Sequence, residues 1–91
     1  MITAKTNDGF TVELEENALD YIVFQDITVM QKDPTKLIDV TDRFLGEENK
    51  NRLMEHLADP KGRIPLEAMG QAVGELLNSF SAGKNSASSP N

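Results

Sequence analysis

The first 14 residues alternate between apolar and polar side chains on either side of a short polar break. Phe10, Val12 and Leu14 are separated by single polar residues, which places their side chains on one face of a β-strand. The break at positions 7–9 reads Asn-Asp-Gly, a sequence typical of tight hairpin turns. The pattern predicts a β-hairpin within residues 1–14. Because a two-stranded ribbon is marginal alone, it must pack on helices or on another copy.

Helical spacing of apolar residues replaces this alternation after residue 16. Asn17 is a suitable N-cap, and Asp20 lies in the first turn, where its charge is favourable to the helix dipole. The apolar run at positions 21–24 and the β-branched residues after it would also suit a strand. Length and period favour a first helix, whose apolar positions are Leu19, Ile22, Val23, Ile27 and Met30.

Proline and glycine divide the remaining body into three further helices. The second begins at Asp33-Pro34 and ends before Gly46. The third begins at Glu47 and ends before the Asp-Pro-Lys-Gly turn at positions 59–62. The fourth begins at Ile64-Pro65 and has the cleanest amphipathic pattern of the chain. Its apolar positions are Leu66, Met69, Val73, Leu76, Leu77 and Phe80.

These segments define the fold class and the domain boundary. They predict a single, mainly α domain over residues 1–80, a small bundle of about four helices with an N-terminal β-hairpin. No aromatic or large aliphatic residue follows Phe80. Residues 81–91 therefore cannot bury enough surface to offset the entropy of ordering, and we predict a disordered polar tail.

The composition is acidic and lacks cysteine. Nine basic and 15 acidic residues give a formal charge of −6, so we expect no binding to nucleic acid or to anionic membranes. A basic partner would be compatible with this charge. The absence of cysteine excludes disulfides and thiolate zinc sites. No apolar run reaches the roughly 20 residues of a membrane span, and the first residues lack a secretory signal, so we expect a cytoplasmic protein.

The chain has no recognisable set of residues for catalysis. His56 is the sole histidine, and its helix-surface context suggests neither an oriented carboxylate nor a nucleophile, so we expect a solvated side chain. Aligned on Gly62, a calcium-binding loop would need oxygen ligands at Leu57 and Ala68, and it fails there. A phosphate-binding glycine loop is absent, as is the Asp-Ser pair of acidic carrier proteins. We expect no enzymatic activity, no metal and no cofactor.

Two glycines mark the last predicted helix as a candidate binding surface. Gly70 and Gly74 are four residues apart, and each costs a helix roughly 1 kcal/mol relative to alanine. Their spacing indicates the close approach of another backbone, which is either a second helix of the bundle or a partner helix. The apolar stripe beside them belongs chiefly to the core, but its C-terminal end could exceed what so small a body covers. The candidate protein-binding residues are Met69, Gly70, Val73, Gly74, Leu76, Leu77 and Phe80.

The order and spacing of several short segments are typical of one protein family. The first half of the chain contains Gly9-Phe10-Thr11-Val12-Glu13-Leu14, Glu16-Asn17-Ala18-Leu19-Asp20 and Leu45-Gly46-Glu47-Glu48. The second half contains Leu53-Met54-Glu55-His56-Leu57, Gly62-Arg63-Ile64-Pro65, Glu67-Ala68-Met69, Lys84-Asn85-Ser86 and Ser88-Ser89-Pro90. Together they resemble the tail assembly chaperones of long, flexible-tailed phages of Gram-positive hosts, over nearly the whole chain.

The resemblance implies a mostly helical late protein that acts in the host cell cytoplasm and is absent from the finished particle. Members of this family bind the tape measure protein and keep this long helical chain soluble until tail tube subunits polymerise around it. Many also have a longer form, made by a programmed ribosomal frameshift, whose extension recruits the tail tube protein. This chain would correspond to the short form, without the extension.

The sequence leaves open two other functional classes and the question of self-association. The first rival is a structural head–tail connector or another small virion component. The second is a host-directed regulator that mimics nucleic acid, against which scattered carboxylates interspersed with Lys36 and Arg43 argue. Self-association could use the edge of the strand at 10–14 or the glycine-lined helix.

Overall fold

The computed structural model describes residues 1–88 and contains a two-stranded hairpin followed by helices. The mainly α fold class and the N-terminal hairpin are confirmed. In chain order, the elements are β1 (Ile2–Lys5), β2 (Thr11–Leu14), α1 (Tyr21–Met30), α2 (Lys36–Leu57) and α3 (Leu66–Ser88).

The hairpin forms because the turn at residues 7–9 joins two segments whose apolar and polar side chains alternate as in β-strands. The strands are antiparallel, with Ile2 opposite Leu14 and Lys5 opposite Thr11. The Thr6 amide donates to the Phe10 carbonyl at 2.9 Å and closes the turn, and Gly9 adopts the positive φ of 96° that the turn requires. The hairpin packs on α3, as so small a ribbon needs. Its buried side chains are Ile2, Ala4, Val12 and Leu14.

Two of the predicted helix starts are shifted in the structure. Asp20, not Asn17, is the N-cap of α1: its Oδ1 accepts from the Val23 amide at 2.9 Å. A turn at residues 15–18, closed by the Ala18 amide on the Glu15 carbonyl, precedes the helix. The helical residues of α2 begin at Lys36, and the predicted cap at Asp33 instead holds the preceding turn through the Thr35 amide and hydroxyl.

The prediction of about four helices was wrong, since residues 1–88 contain three. The predicted second and third helices form one element, α2, with a kink at Gly46. Gly46 has φ 80° and ψ 169°, a conformation that is essentially confined to glycine. One residue leaves the helical conformation there, so the axis changes direction without a separate loop. The predicted break at 59–62 is present, and Asp59 Oδ1 accepts from the amides of Lys61 and Arg63 at 2.9 Å.

The last helix continues beyond the predicted end of the folded body. The sequence pattern ended at Phe80, whereas α3 extends through Ser88. A Cβ built at Gly83 would lie 3.2 Å from Ile2 Cγ2, so the helix passes close to β1 after its apolar stripe has ended. The helix therefore passes residue 81, where the sequence predicted that the tail begins. The other residues of the predicted tail, 89–91, lie outside the described residues.

The core lies between the hairpin, α2 and α3. Phe44 and Phe80 meet there edge to face, with ring centroids 5.5 Å apart and an interplanar angle of 88°. The helix α1 packs on α2 and contributes Val23. Within the described residues, no helix has both the length and the hydropathy that crossing a membrane requires. The largest fully buried side chains are Phe44, Phe80, Leu53, Leu76, Val12, Val23, Val40 and Val73.

Candidate protein-binding surfaces

The apolar stripe of α3 is core and is not accessible to a partner in this fold. Leu76 and Phe80 have no exposed surface, and Val73 is 1% exposed. These side chains belong to the contacts of α3 with the hairpin and with α2, because α3 packs on both β1 and α2. The expectation that the C-terminal end of the stripe exceeds what the body can cover is therefore wrong for Leu76 and Phe80.

The other predicted binding residues of α3 divide between two environments. Met69 and Leu77 are partly buried and pack against the core. Gly70 faces α2, since a Cβ built there would lie 3.9 Å from Leu37 Cδ2. A Cβ at Gly74 would meet no atom within 4 Å. Gly70 therefore fits packing within the bundle, whereas Gly74 faces open space.

Side chains occupy the free edges of the hairpin. On the outer edge of β2, the Thr11 carbonyl accepts from Arg52 at 3.1 Å and the Glu13 carbonyl accepts from Asn49 at 3.2 Å. On β1, the Lys5 amide donates to Ser79 Oγ at 2.9 Å. A strand from another molecule that paired with either edge would have to displace these bonds.

His56 is exposed, and its ring also belongs to a stacked cluster that joins the hairpin to α2. Its Nε2 lies 2.8 Å from Asp8 Oδ2, and its ring stacks on Phe10 with centroids 4.7 Å apart. The Arg52 guanidinium lies 5.2 Å from the centroid of the same phenylalanine. Asp8 and His56 are 48 positions apart in the sequence, so no local motif could reveal the pair.

Asp8 is the carboxylate of this cluster, and its contacts stabilise the charged form. Its pKa is lowered from 3.8 to about 2, first by the hydrogen bond that the Thr6 hydroxyl donates, then by His56 and the Phe10 amide. These contacts fix the conformation of the hairpin turn. No group of three or more potential metal ligands occurs among the described residues.

An apolar surface that the sequence analysis did not predict is the outer face of α1, which includes Tyr21, Ile22, Phe24 and Val29. Tyr21 is 78% exposed and Phe24 is 61% exposed, although both lie in a folded helix. The opposite side of α1 packs on the body through Val23, Ile27 and Met30. The outer face therefore exposes large apolar side chains with no cover within the described residues.

A second apolar surface lies in a cleft between α2 and α3, which we call the α2–α3 cleft. Its volume is about 330 Å³, and Ile38 and Leu66 on its walls are 66% and 71% exposed. An ion pair lies within the lining, with Lys50 Nζ 3.0 Å from Asp42 Oδ1. The other lining residues are Leu37, Thr41, Met54, Ile64 and Met69.

The sequence contained a signal for the outer face of α1 that the helix assignment passed over. Positions 21–24 are four consecutive apolar residues, and consecutive helical residues point about 100° apart. A helix that packs on one side alone cannot bury all four. Once this run is helical, some of its large side chains must be exposed.

A scan against protein-family models gives no match, and searches of the curated proteins and of the solved structures give none.

Proposed function

We propose that this protein is a phage tail assembly chaperone that binds the tape measure protein and keeps it soluble during tail assembly. The order and spacing of the segments that resemble this family support the proposal. So does the mainly helical fold, which agrees with the mostly helical protein that the resemblance implies. Tape measure proteins are long helical chains with apolar stripes, so the client would be an extended series of amphipathic helices.

The observation that carries the proposal is the exposure of large apolar side chains on a small acidic body. Tyr21, Phe24, Ile38 and Leu66 are each more than 60% exposed. Apolar surface of this kind on a folded domain indicates a binding site, and the formal charge of −6 would keep a chaperone–client complex soluble. Such binding needs neither a metal nor a cofactor.

The proposal includes two forms of the protein. The present chain would be the short form, and a longer form made by a programmed frameshift would recruit the tail tube protein. The C-terminal half of α3 would then connect the folded body to the extension. The site of action is the host cell cytoplasm, before the tail is complete.

Co-expression tests the proposal. The tape measure protein encoded in the same gene cluster is expressed with and without this chain, and the soluble fraction and the co-purified complex are quantified. We expect the client to be insoluble alone and to co-purify when this chain is present. An insoluble and unbound client beside a folded chain would contradict the proposal, and recovery of the chain from purified particles would favour a virion component.

A further inference from the structure

We propose that the outer face of α1 is the docking surface and that its occupant is an amphipathic helix with basic residues beside its apolar stripe. The inference rests on the proposed function, since it assigns the client's contact to one surface. It replaces the α3 stripe, whose central residues Val73, Leu76 and Phe80 are buried.

The distribution of aromatic residues favours this face. The chain has four phenylalanines and one tyrosine. Phe44 and Phe80 lie in the core, and Phe10 stacks on His56. The remaining two, Tyr21 and Phe24, point away from the body on adjacent turns of α1. Aromatic side chains are enriched at the energetic centres of protein interfaces, so this pair is suited to anchor a partner.

The outer face is also free of charge. Asp26 is the one charged residue between Asp20 and Lys32. It faces inwards, where its carboxylate is 3.9 Å from Lys36 Nζ and 3.4 Å from Arg43 Nε. The ten residues of α1 therefore present about 15 Å of helix whose outer side carries no charge. A partner helix of about three turns would match that length.

Charge at the N-terminal end of the face determines the chemistry of the occupant. Glu15 and Asp20 are exposed on the N-terminal side of α1, and Asp20, the N-cap, directly precedes Tyr21. Lysine or arginine beside the apolar stripe of a partner helix would meet these carboxylates. A second copy of this chain fits less well, because each copy has a formal charge of −6 and the same acidic end.

The α2–α3 cleft is a less suitable contact for an apolar helix. Its lining contains the Asp42–Lys50 ion pair, which an apolar partner would have to desolvate. On the outer face of α1, the one charged group of the helix is already directed into the body.

Two matched double variants of the full chain test the inference in the co-expression assay. Y21Q/F24Q removes two large apolar side chains from the outer face of α1, and I38Q/L66Q removes two of similar exposure from the cleft. We expect Y21Q/F24Q to reduce the recovered tape measure protein about tenfold or more, as loss of an interface centre would. We expect I38Q/L66Q to retain it within about twofold. Circular dichroism should show native helicity in both.

Each other outcome shows whether the assignment to α1 or the proposed function is wrong. Capture retained by Y21Q/F24Q, or lost equally in both variants, would overturn the assignment to α1 but leave the proposed function intact. Absence of capture by the wild-type chain would overturn both. A wild-type dimer that Y21Q/F24Q converts to a monomer, with client capture unchanged, would show that a second copy occupies the face and would overturn the inference.

Discussion

Gly74 shows how the surroundings of a glycine decide whether it destabilises the fold or is required by it. It lies within α3, where a Cβ would meet no atom within 4 Å. We expect Gly74→Ala to raise the free energy of unfolding by about 0.5–1 kcal/mol, because alanine restricts the unfolded chain and favours the helix. Urea unfolding followed by circular dichroism measures this change.

Gly46 provides the matched control for this substitution. Its φ of 80° and ψ of 169° exclude a comfortable alanine, so Gly46→Ala should lower the free energy of unfolding by about 1–3 kcal/mol. A destabilised Gly74→Ala variant would contradict the environment described for Gly74.

Asp8 makes the stability of the fold depend on pH. Its pKa in the folded protein is lowered from 3.8 to about 2, so its contacts stabilise the fold above pH 4 and are lost as the pH falls towards 2. We expect wild type to be more stable than Asp8→Asn at pH 5, and the difference to shrink at pH 2. Urea midpoints of both proteins at the two pH values measure it. A difference that is equal at both values would contradict the role of the carboxylate.

At the scale of elements, α3 contributes the fully buried side chains of Val73, Leu76 and Phe80 to the core. We expect Phe80→Ala to cost about 3–5 kcal/mol of unfolding free energy, because it opens a cavity against Phe44. Leu66→Ala, at a position 71% exposed on the same helix, should change it by no more than about 0.5 kcal/mol. Thermal unfolding of both variants distinguishes the positions. Similar losses, or a Phe80→Ala protein as stable as wild type, would contradict the burial.

The same burial changes the meaning of charged substitutions in α3. If the end of the α3 stripe were a binding surface, charged residues at Leu76 and Phe80 would abolish partner binding and leave the fold intact. Both side chains have no exposed surface, so we now expect the double variant to lose its cooperative unfolding transition.

The elements that the sequence predicted well are those with local determinants. The hairpin follows from alternation and from the turn at Gly9, and α3 begins within two residues of the predicted start at Ile64-Pro65. Asp20 replaced Asn17 as N-cap because both residue types cap helices and the turn at 15–18 decided between them. Local preference does not distinguish such neighbours.

Features that depend on long-range contacts could not be predicted. The Asp8–His56 pair joins residues 48 positions apart. The continuity of α2 across Gly46 depends on packing, because a glycine with positive φ ends some helices and kinks others. The candidate surface moved from α3 to α1 because periodicity identifies apolar positions but not which of several apolar faces the core uses.

At the scale of the whole molecule, charge and blocked strand edges indicate a monomer in the absence of a client. Arg52, Asn49 and Ser79 occupy hydrogen-bonding positions on the hairpin edges, and the formal charge of −6 opposes association of two copies. We expect light scattering coupled to size exclusion to give the 10.0 kDa mass of one chain. A stable dimer at low ionic strength would contradict this.

The central claim is that this folded body binds a helical client through the outer face of α1. Amide hydrogen exchange of the purified complex, compared with the free chain, tests it most directly. The account predicts increased protection in peptides that cover Tyr21–Met30, with little change in those covering Lys36–Leu57. Protection confined to α2 and the start of α3, with α1 exchanging as in the free chain, would contradict it.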